Sequence, residues 1–357
     1  MSDSFIVRSR FGDYQVLFTE EFPGTVEHPI GQDSILAIDK RVWHLFQERF
    51  GSSAHKEQMV LVEAEEQNKT VDYCQKIGEQ LLAKNIRRSN TLIAVGGGIT
   101  QDVIGFISSI LFRGINWTLW PTTLLAQADS CIGSKTSINF GNYKNLLGTF
   151  YPPAQVLVNV AFLETLSTED VKSGIGEMMH YYLIAGDTKA EQLMAEYEET
   201  LSLPTRLREY ILASLRIKKN VVEKDELDKG ERNLFNYGHT FGHAVEAVSE
   251  YKVNHGQAVT MGMDIANYIS LKLGHMDTGT FSSMRALLQK NMPDFCLPTA
   301  KLEEFIAALS KDKKNVGTDL GCILANGPGS MWKAQIPLDT KLRGLVAEYF
   351  QQSRGAL

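Results

Sequence analysis

The sequence predicts a two-part α/β protein: a Rossmann-like domain with a parallel sheet over residues 1–160, then a mainly α-helical domain over 161–357. Three observations carry this. Short apolar runs alternate with helical signals through the first 160 residues, as βαβ units require. Long helical segments replace them beyond residue 160, after the strand that follows the Pro152-Pro153 break. The length, 357 residues, exceeds the roughly 100–200 typical of one domain.

In chain order, "SILAID" (34–39), "MVLVEA" (59–64), "NTLIAVGGG" (90–98), "WTLWPTT" (117–123) and "QVLVNV" (155–160) read as buried strands. Between the second and third, Val71, Cys74, Ile77, Leu81 and Leu82 form a helical stripe. Ser167 and Thr168, followed by Glu169 and Asp170, read as the capped start of a long helix. Pro204 opens a second helix running to about Asp225; a third covers "YGHTFGHAVEA" and a fourth begins near His255. Two shorter helices follow, near 279–291 and 301–311.

Composition narrows the function classes. With 43% hydrophobic and 22% charged residues the chain is an ordinary globular one, and its net charge of −6 offers no basic field for nucleic acid. Four widely spaced cysteines (Cys74, Cys131, Cys296, Cys322) form no CxxC pair, so a cytoplasmic protein is expected. No apolar run approaches the ~18 residues of a membrane span, and charges interrupt the N-terminus where a signal peptide would need an apolar core.

Chemistry-bearing residues cluster in three stretches. Gly96-Gly97-Gly98 ends a strand before a helix, where backbone can approach a pyrophosphate at the helix N-terminus; a tight packing turn explains it equally well, since GxGxxG is absent. Asp39, ending a strand, suits either a ribose or a turn, and Asp102 either a cofactor or the helix dipole. The segment "PTTLLAQADSCIGSKTSINFGNYKNLLGTFYPP" sets Asp129, Lys135, Lys144 and Asn145 among small and apolar residues, which suggests an anion pocket rather than a solvated charge run. The third stretch carries Lys218, Arg232, Asn236, His239 and His243. Together with Glu177 and His255 it supplies a carboxylate and imidazoles suited to a catalytic zinc. Each histidine alone is more often structural. Thr240 stands where HExxH needs its glutamate, so a zinc protease is excluded. The i, i+4 spacing of His239 and His243 leaves open whether both would face one ion.

Taken together, "GGGITQDVIGF", "PTTLLAQADS", "GSKTSIN", "KNLLGTFYPP", "GIGE", "LFNYGHTFGHAVE" and "HGQAV" resemble the 3-dehydroquinate synthase family of sugar phosphate cyclases, over about Asp39 to His255. The resemblance implies an NAD-binding domain and a metal domain with the site in the cleft between them. It implies NAD on Asp39, Glu66, Lys69, Gly97, Gly98, Asp102, Thr122, Thr123 and Lys144, and zinc, replaceable by cobalt, on Glu177, His239 and His255. Asp129, Lys135, Lys218 and Arg232 would meet substrate hydroxyls and carboxylate. Asn145, Asn236, His243 and Arg113 would surround the phosphate, with Lys313 or Lys314 beside them. In the family that arginine comes from the other subunit, which implies a homodimer. The expected reaction is transient oxidation by NAD, loss of phosphate, re-reduction and an intramolecular aldol closure, as in the shikimate route to aromatic amino acids. Alternatives are a cyclase for another sugar phosphate (sedoheptulose 7-phosphate or glucose 6-phosphate type) and a metal- and NAD-dependent polyol dehydrogenase.

Two positions depart from the family pattern. His180 stands where a substrate-binding lysine is usual, so a hydroxyl contact must differ. Gln101, before Asp102, is unusual as well.

Overall fold

The computed structural model describes residues 3–354 apart from Asn142 and Lys313. The chain forms two compact units, one of residues 1–166 with 204–226, the other of 167–203 with 227–357. The segment Pro204–Glu226 thus belongs with the first unit, a return that a single linear boundary at 160 does not contain.

In the first unit the elements run β1 (Ser4–Val7), β2 (Tyr14–Phe18), β3 (Ser34–Asp39), α1 (Lys40–Phe46), β4 (Met59–Val62), α2 (Val71–Ala83), β5 (Thr91–Gly96), α3 (Gly98–Ile110) and β6 (Asn116–Pro121). A π-helix at Ala126–Ser130, a hairpin of β7 (Lys135–Phe140) and β8 (Tyr143–Phe150), and β9 (Gln155–Val158) follow. Among the described residues seven strands make one sheet in the order β1-β2-β9-β6-β5-β3-β4, parallel except for the β1–β2 pair. Each expected strand forms, shorter than its apolar run by up to three residues because pairing stops where the next turn begins. Leu36, Ile38, Val95, Trp120 and Leu157 bury against Phe22, Phe46 and Phe162, which makes the sheet's core aliphatic with an aromatic cap. On α2, Cys74, Ile77 and Leu81 are buried, whereas Val71 and Leu82 of the expected stripe are exposed. The helix is only half-covered, so one narrow face suffices.

The second unit opens with α4 (Thr168–Ala185), whose N-cap Ser167 accepts from Asp170 N as the sequence signalled. Next come α5 (Lys189–Ala195) and α6 (Tyr197–Ser202). The chain then crosses to the first unit for a short 3₁₀ turn at Pro204–Leu207 and α7 (Arg208–Val222). Back in the second unit are α8 (His239–Val248), α9 (His255–Lys272), α10 (Thr278–Gln289), α11 (Leu302–Ser310), the antiparallel pair β10 (Asp319–Gly327) and β11 (Ser330–Pro337), and α12 (Thr340–Arg354). Among the described residues the unit is helical with one hairpin, which the sequence pattern does not signal. No described helix is long and apolar enough to cross a membrane.

Candidate active site

The first unit places its candidates where the strand order reverses. β4 lies outside β3, and β5 lies on the other side of β3, so the carboxyl ends of β3 and β5 flank a switch point. Asp39 closes β3 and Gly96 closes β5 there. A Cβ on Gly97 would sit 2.8 Å from Thr123 Cγ2, so only glycine admits that threonine so close to the turn. Asp39 caps α1, its Oδ1 accepting from Arg41 N at 2.7 Å and Val42 N at 3.4 Å. Burial leaves its carboxyl above the usual range despite those bonds.

A polar network then ties the predicted cofactor residues to the β7–β8 hairpin. The buried Lys69 Nζ donates to Asp102 Oδ2 at 2.7 Å, and Ser137 N donates to Asp102 Oδ1 at 3.0 Å. Ser137 Oγ lies 3.1 Å from both Asp102 Oδ2 and Asn145 Oδ1. Asn139 Nδ2 donates to Glu66 Oε1 at 2.9 Å, and Asn139 Oδ1 accepts from Asn145 N at the same distance. Glu66, Lys69, Asp102 and Asn145 are therefore brought together, through Ser137 and Asn139, which sequence reading missed. Their only signal was the polar alternation of "KTSIN". Desolvation raises the Asp102 carboxyl, outweighing Lys69 and Ser137, which pull it down. Thr122 is buried beside the glycine turn, its N donating to Gly96 O at 3.1 Å. Lys135 starts β7, and Lys144 sits on exposed β8.

Elsewhere in the unit, Lys218 Nζ donates to both Asp129 O (2.6 Å) and Asp129 Oδ1 (2.8 Å). Arg113 is exposed at a sharp corner where Phe112 and Arg113 have φ of 53° and 64° before Gly114.

In the second unit three helices converge. A Cβ at Gly176 would fall 2.0 Å from Gly256 O, so α4 and α9 touch backbone to backbone, and the adjacent Glu177 and His255 are brought face to face. Gly238, at φ 80°, turns the chain into α8 and sets His239 at its first position. His255 Nε2 and His239 Nε2 lie 3.2 and 3.5 Å from Glu177 Oε1. That oxygen is buried and completes a hydrogen bond with neither. The outer ring nitrogens are engaged: His255 Nδ1 is 3.2 Å from Glu246 Oε2, and His239 Nδ1 is 3.2 Å from Tyr237 O. Both Nε2 atoms are thereby aimed at the carboxylate, the pattern by which an outer partner orients a metal-bound imidazole.

Electrostatics agree with this aim. Burial would raise Glu177, but the His239 and His255 imidazoles outweigh it and hold the carboxyl well below its usual range. Burial would lower His255, yet Glu177 and Glu246 on either side hold it well above the ordinary imidazole value. His243 keeps a solvent-accessible edge. Desolvation in the crowded cluster, then His239, His255 and Lys314, push it well below that value. Among the described residues, two triplets place ligand atoms within 4.8 Å of one another: Glu177, His239 and His255, and His243, Glu246 and His255. The first set fits a divalent metal: one unsatisfied buried carboxylate oxygen, two imidazole nitrogens fixed toward it, and outer partners in place. Glu246 escaped sequence reading, although it lies seven residues after His239 on the same helical face.

The remaining candidates of the second unit lie on α4 and on the segments before α8 and β10. His180 is fully buried, its Nδ1 3.9 Å from Glu177 Oε2 and its ring against those of His239, Tyr181 and Phe235. Arg232 is buried, and Asn236 Nδ2 donates to Asn233 O at 3.0 Å. Asn233, Asn236, Lys314, Gly321 and Lys333 line one recess, with Lys314 Nζ 2.7 Å from Asp312 Oδ2. Lys313, the other lysine expected at the phosphate, lies outside the described residues.

Comparison with known proteins matches residues 59–173 to the 3-dehydroquinate synthase N-terminal domain and 174–315 to the C-terminal domain of the same family. A 3-dehydroquinate synthase of Alkaliphilus metalliredigens is 33% identical over 87% of this chain and 88% of its own. One of Dictyoglomus turgidum is 36% identical over 82% of each chain. A 2-deoxy-scyllo-inosose synthase, solved with carbaglucose-6-phosphate, NAD+ and Co2+, superposes with a TM-score of 0.85 at 26% identity, covering 98% of this chain and 99% of that one. The fold is shared as well by a 2-epi-5-epi-valiolone synthase of Streptomyces hygroscopicus, solved with NAD+ and Zn2+, at a TM-score of 0.82, 22% identity and coverage of 97% and 98%.

Proposed function

Because the chain belongs to the 3-dehydroquinate synthase family, we propose that it is an NAD- and zinc-dependent sugar phosphate cyclase, a carbon–oxygen lyase that turns a carboxylated C7 sugar phosphate into a carbocycle and inorganic phosphate. The observation that carries the reading is the convergence of His239 and His255 on the buried Glu177 oxygen, within the stretch that the C-terminal family domain covers. Glu177, His239 and His255 would hold the zinc, with cobalt as a substitute. Asp39, Glu66, Lys69, Gly97, Gly98, Asp102, Thr122, Thr123 and Lys144 would bind NAD. When bound, the metal would acidify a substrate hydroxyl and NAD would exchange a hydride with the carbon that bears it.

The chain's own residues supply the rest. Arg232, a buried planar cation, would fix the substrate carboxylate bidentately. Lys218 and Asp129, held against each other, would bind hydroxyls, with Lys135 adding a donor. Asn236, His243 and Lys314, together with Asn145, would cradle the phosphate and stabilise its charge as it leaves. His180, packed on Glu177, would act on the metal side of the substrate. The reading includes a homodimer, with Arg113 reaching the phosphate held by the second copy, and a cytoplasmic location.

With NAD+ and zinc, the purified protein should release inorganic phosphate from a carboxylated C7 sugar phosphate without net NADH. Failure to release phosphate from any sugar phosphate would sink the proposal, and accumulating NADH would favour a polyol dehydrogenase. A second reading, a cyclase for a sugar phosphate lacking the carboxylate, is favoured by His180 in place of the usual lysine. Arg232→Ala separates the two: turnover should collapse under the first reading and persist under the second.

A further inference from the structure

Asp129 and Lys218 depend on the π-helix Ala126–Ser130, and that turn has unusual supports. Cys131 N donates to Ala126 O, five residues back, at 3.0 Å, so the turn is wider than an α-turn, and Asp129 O receives only a long backbone bond from Ile132 N at 3.4 Å. Side chains supply closer donors. Ser214 Oγ donates to Ala128 O at 2.9 Å, and Lys218 Nζ, one turn further along α7, donates to Asp129 O at 2.6 Å. The third carbonyl, Ser130 O, accepts from Gln101 Nε2 at 2.6 Å, and Ser130 Oγ returns a bond to Gln101 Oε1 at 2.8 Å. Gln101 is buried in the first turn of α3, directly before Asp102, and the same turn presents Gly98 to Ser130 Oγ.

We infer that Gln101 is a positioning residue: its reciprocal pair with Ser130 caps the π-turn and thereby fixes the Asp129–Lys218 pair relative to the glycine turn at Gly97-Gly98. A glutamine is suited to this because one amide supplies both the donor for the carbonyl and the acceptor for the hydroxyl. Gln101 is buried and both bonds are part-buried, so losing one leaves the amide with a poorly hydrated polar group. The consequence for catalysis rests on the cyclase reading, whereas the structural claim does not.

Gln101→Met keeps the volume and removes both bonds; Ser130→Ala removes only the hydroxyl bond. Hydrogen–deuterium exchange on the protein without ligands should show faster exchange over residues 126–132 in Q101M, less so in S130A, with β5 and α2 unchanged. In the phosphate-release assay, Q101M should lower kcat/KM for the sugar phosphate about tenfold while NAD+ affinity stays at the wild-type value. The double variant should be no worse than Q101M, since the hydroxyl bond is already gone. Unchanged exchange over 126–132 in both single variants would overturn the inference, as would parallel losses of sugar-phosphate and NAD+ binding or additive losses in the double variant. If Q101M does not fold, S130A alone decides by the same exchange measurement. A wild-type protein inactive on every sugar phosphate would defeat the cyclase reading and leave the exchange result standing.

Discussion

Each unit holds a carboxylate among its candidate residues, Glu177 buried and Asp102 half-buried, and the two are treated in opposite ways. Asp102 is engaged by the protein itself: Lys69, Ser137 N and Ser137 Oγ all donate to it. Glu177 faces two imidazole nitrogens at 3.2 and 3.5 Å, yet its Oε1 completes no hydrogen bond. Burial leaves Asp102 above its usual range, while the neighbouring imidazoles hold Glu177 below its own. The difference separates a carboxylate engaged by an ammonium, an amide and a hydroxyl from one faced by two imidazoles. Asp102 already has the Lys69 ammonium as its cation, whereas a buried oxygen without a hydrogen bond is stabilised by gaining one.

That contrast can be broken. Glu177→Gln removes the negative charge facing the two imidazoles and should weaken zinc binding by about 3–5 kcal/mol, a factor of about 150 to 5,000, with phosphate release lost in parallel. Equilibrium competition against a chromophoric chelator measures it. A variant with wild-type affinity would remove Glu177 from the metal site. Stripping the metal should lower thermal stability, and zinc at about a hundredfold over its Kd should restore about 2.7 kcal/mol, read as a Tm shift by calorimetry. An Asp102→Asn protein should show the same zinc-dependent rise, because its defect lies in the other unit.

Glu246→Gln tests the outer partner. It should cost about 10- to 100-fold in zinc affinity by freeing the His255 ring, and leave the fold intact by circular dichroism. The smallest effect belongs to Asp102→Asn, which strands the buried Lys69 ammonium and should cost about 1–2 kcal/mol of stability, its half-open side being discounted for solvent screening. Urea unfolding reads this directly, and metal content should not change. If D102N lost zinc and E177Q did not, the assignment of roles would be reversed.

Much of the site was legible because its chemistry sits in contiguous strings. Glu177, His239 and His255 lie in "GIGE", "GHTFGH" and "NHGQAV", each opening or riding a helix whose caps (Ser167, Gly238, Asn254) are visible in the chain. Less legible were residues that act through partners distant in sequence. Ser137 and Asn139 look like ordinary strand polars until the hairpin folds onto α3 and α2. Glu246 gains meaning only when α9 brings His255 beside it. Asp39 shows the reverse: its position at a strand end was read correctly, but the side chain is occupied in capping α1.

Local signals therefore determined five of the seven described strands of the sheet, the starts of the longer helices, and the residue types able to hold a metal and an anion, since caps, apolar periods and glycines act within a few residues. Tertiary structure alone decided three things. It sent Pro204–Glu226 back to the first unit, so that α7 could offer Ser214 and Lys218 to the π-turn. It buried His180 against Glu177. And it resolved the spacing of His239 and His243. The Tyr237 carbonyl orients the first toward Glu177, and the second, one turn on, falls in the other triplet with Glu246. Helical spacing sets which side chains share a face; which atom each one presents is set by the partner that packing supplies.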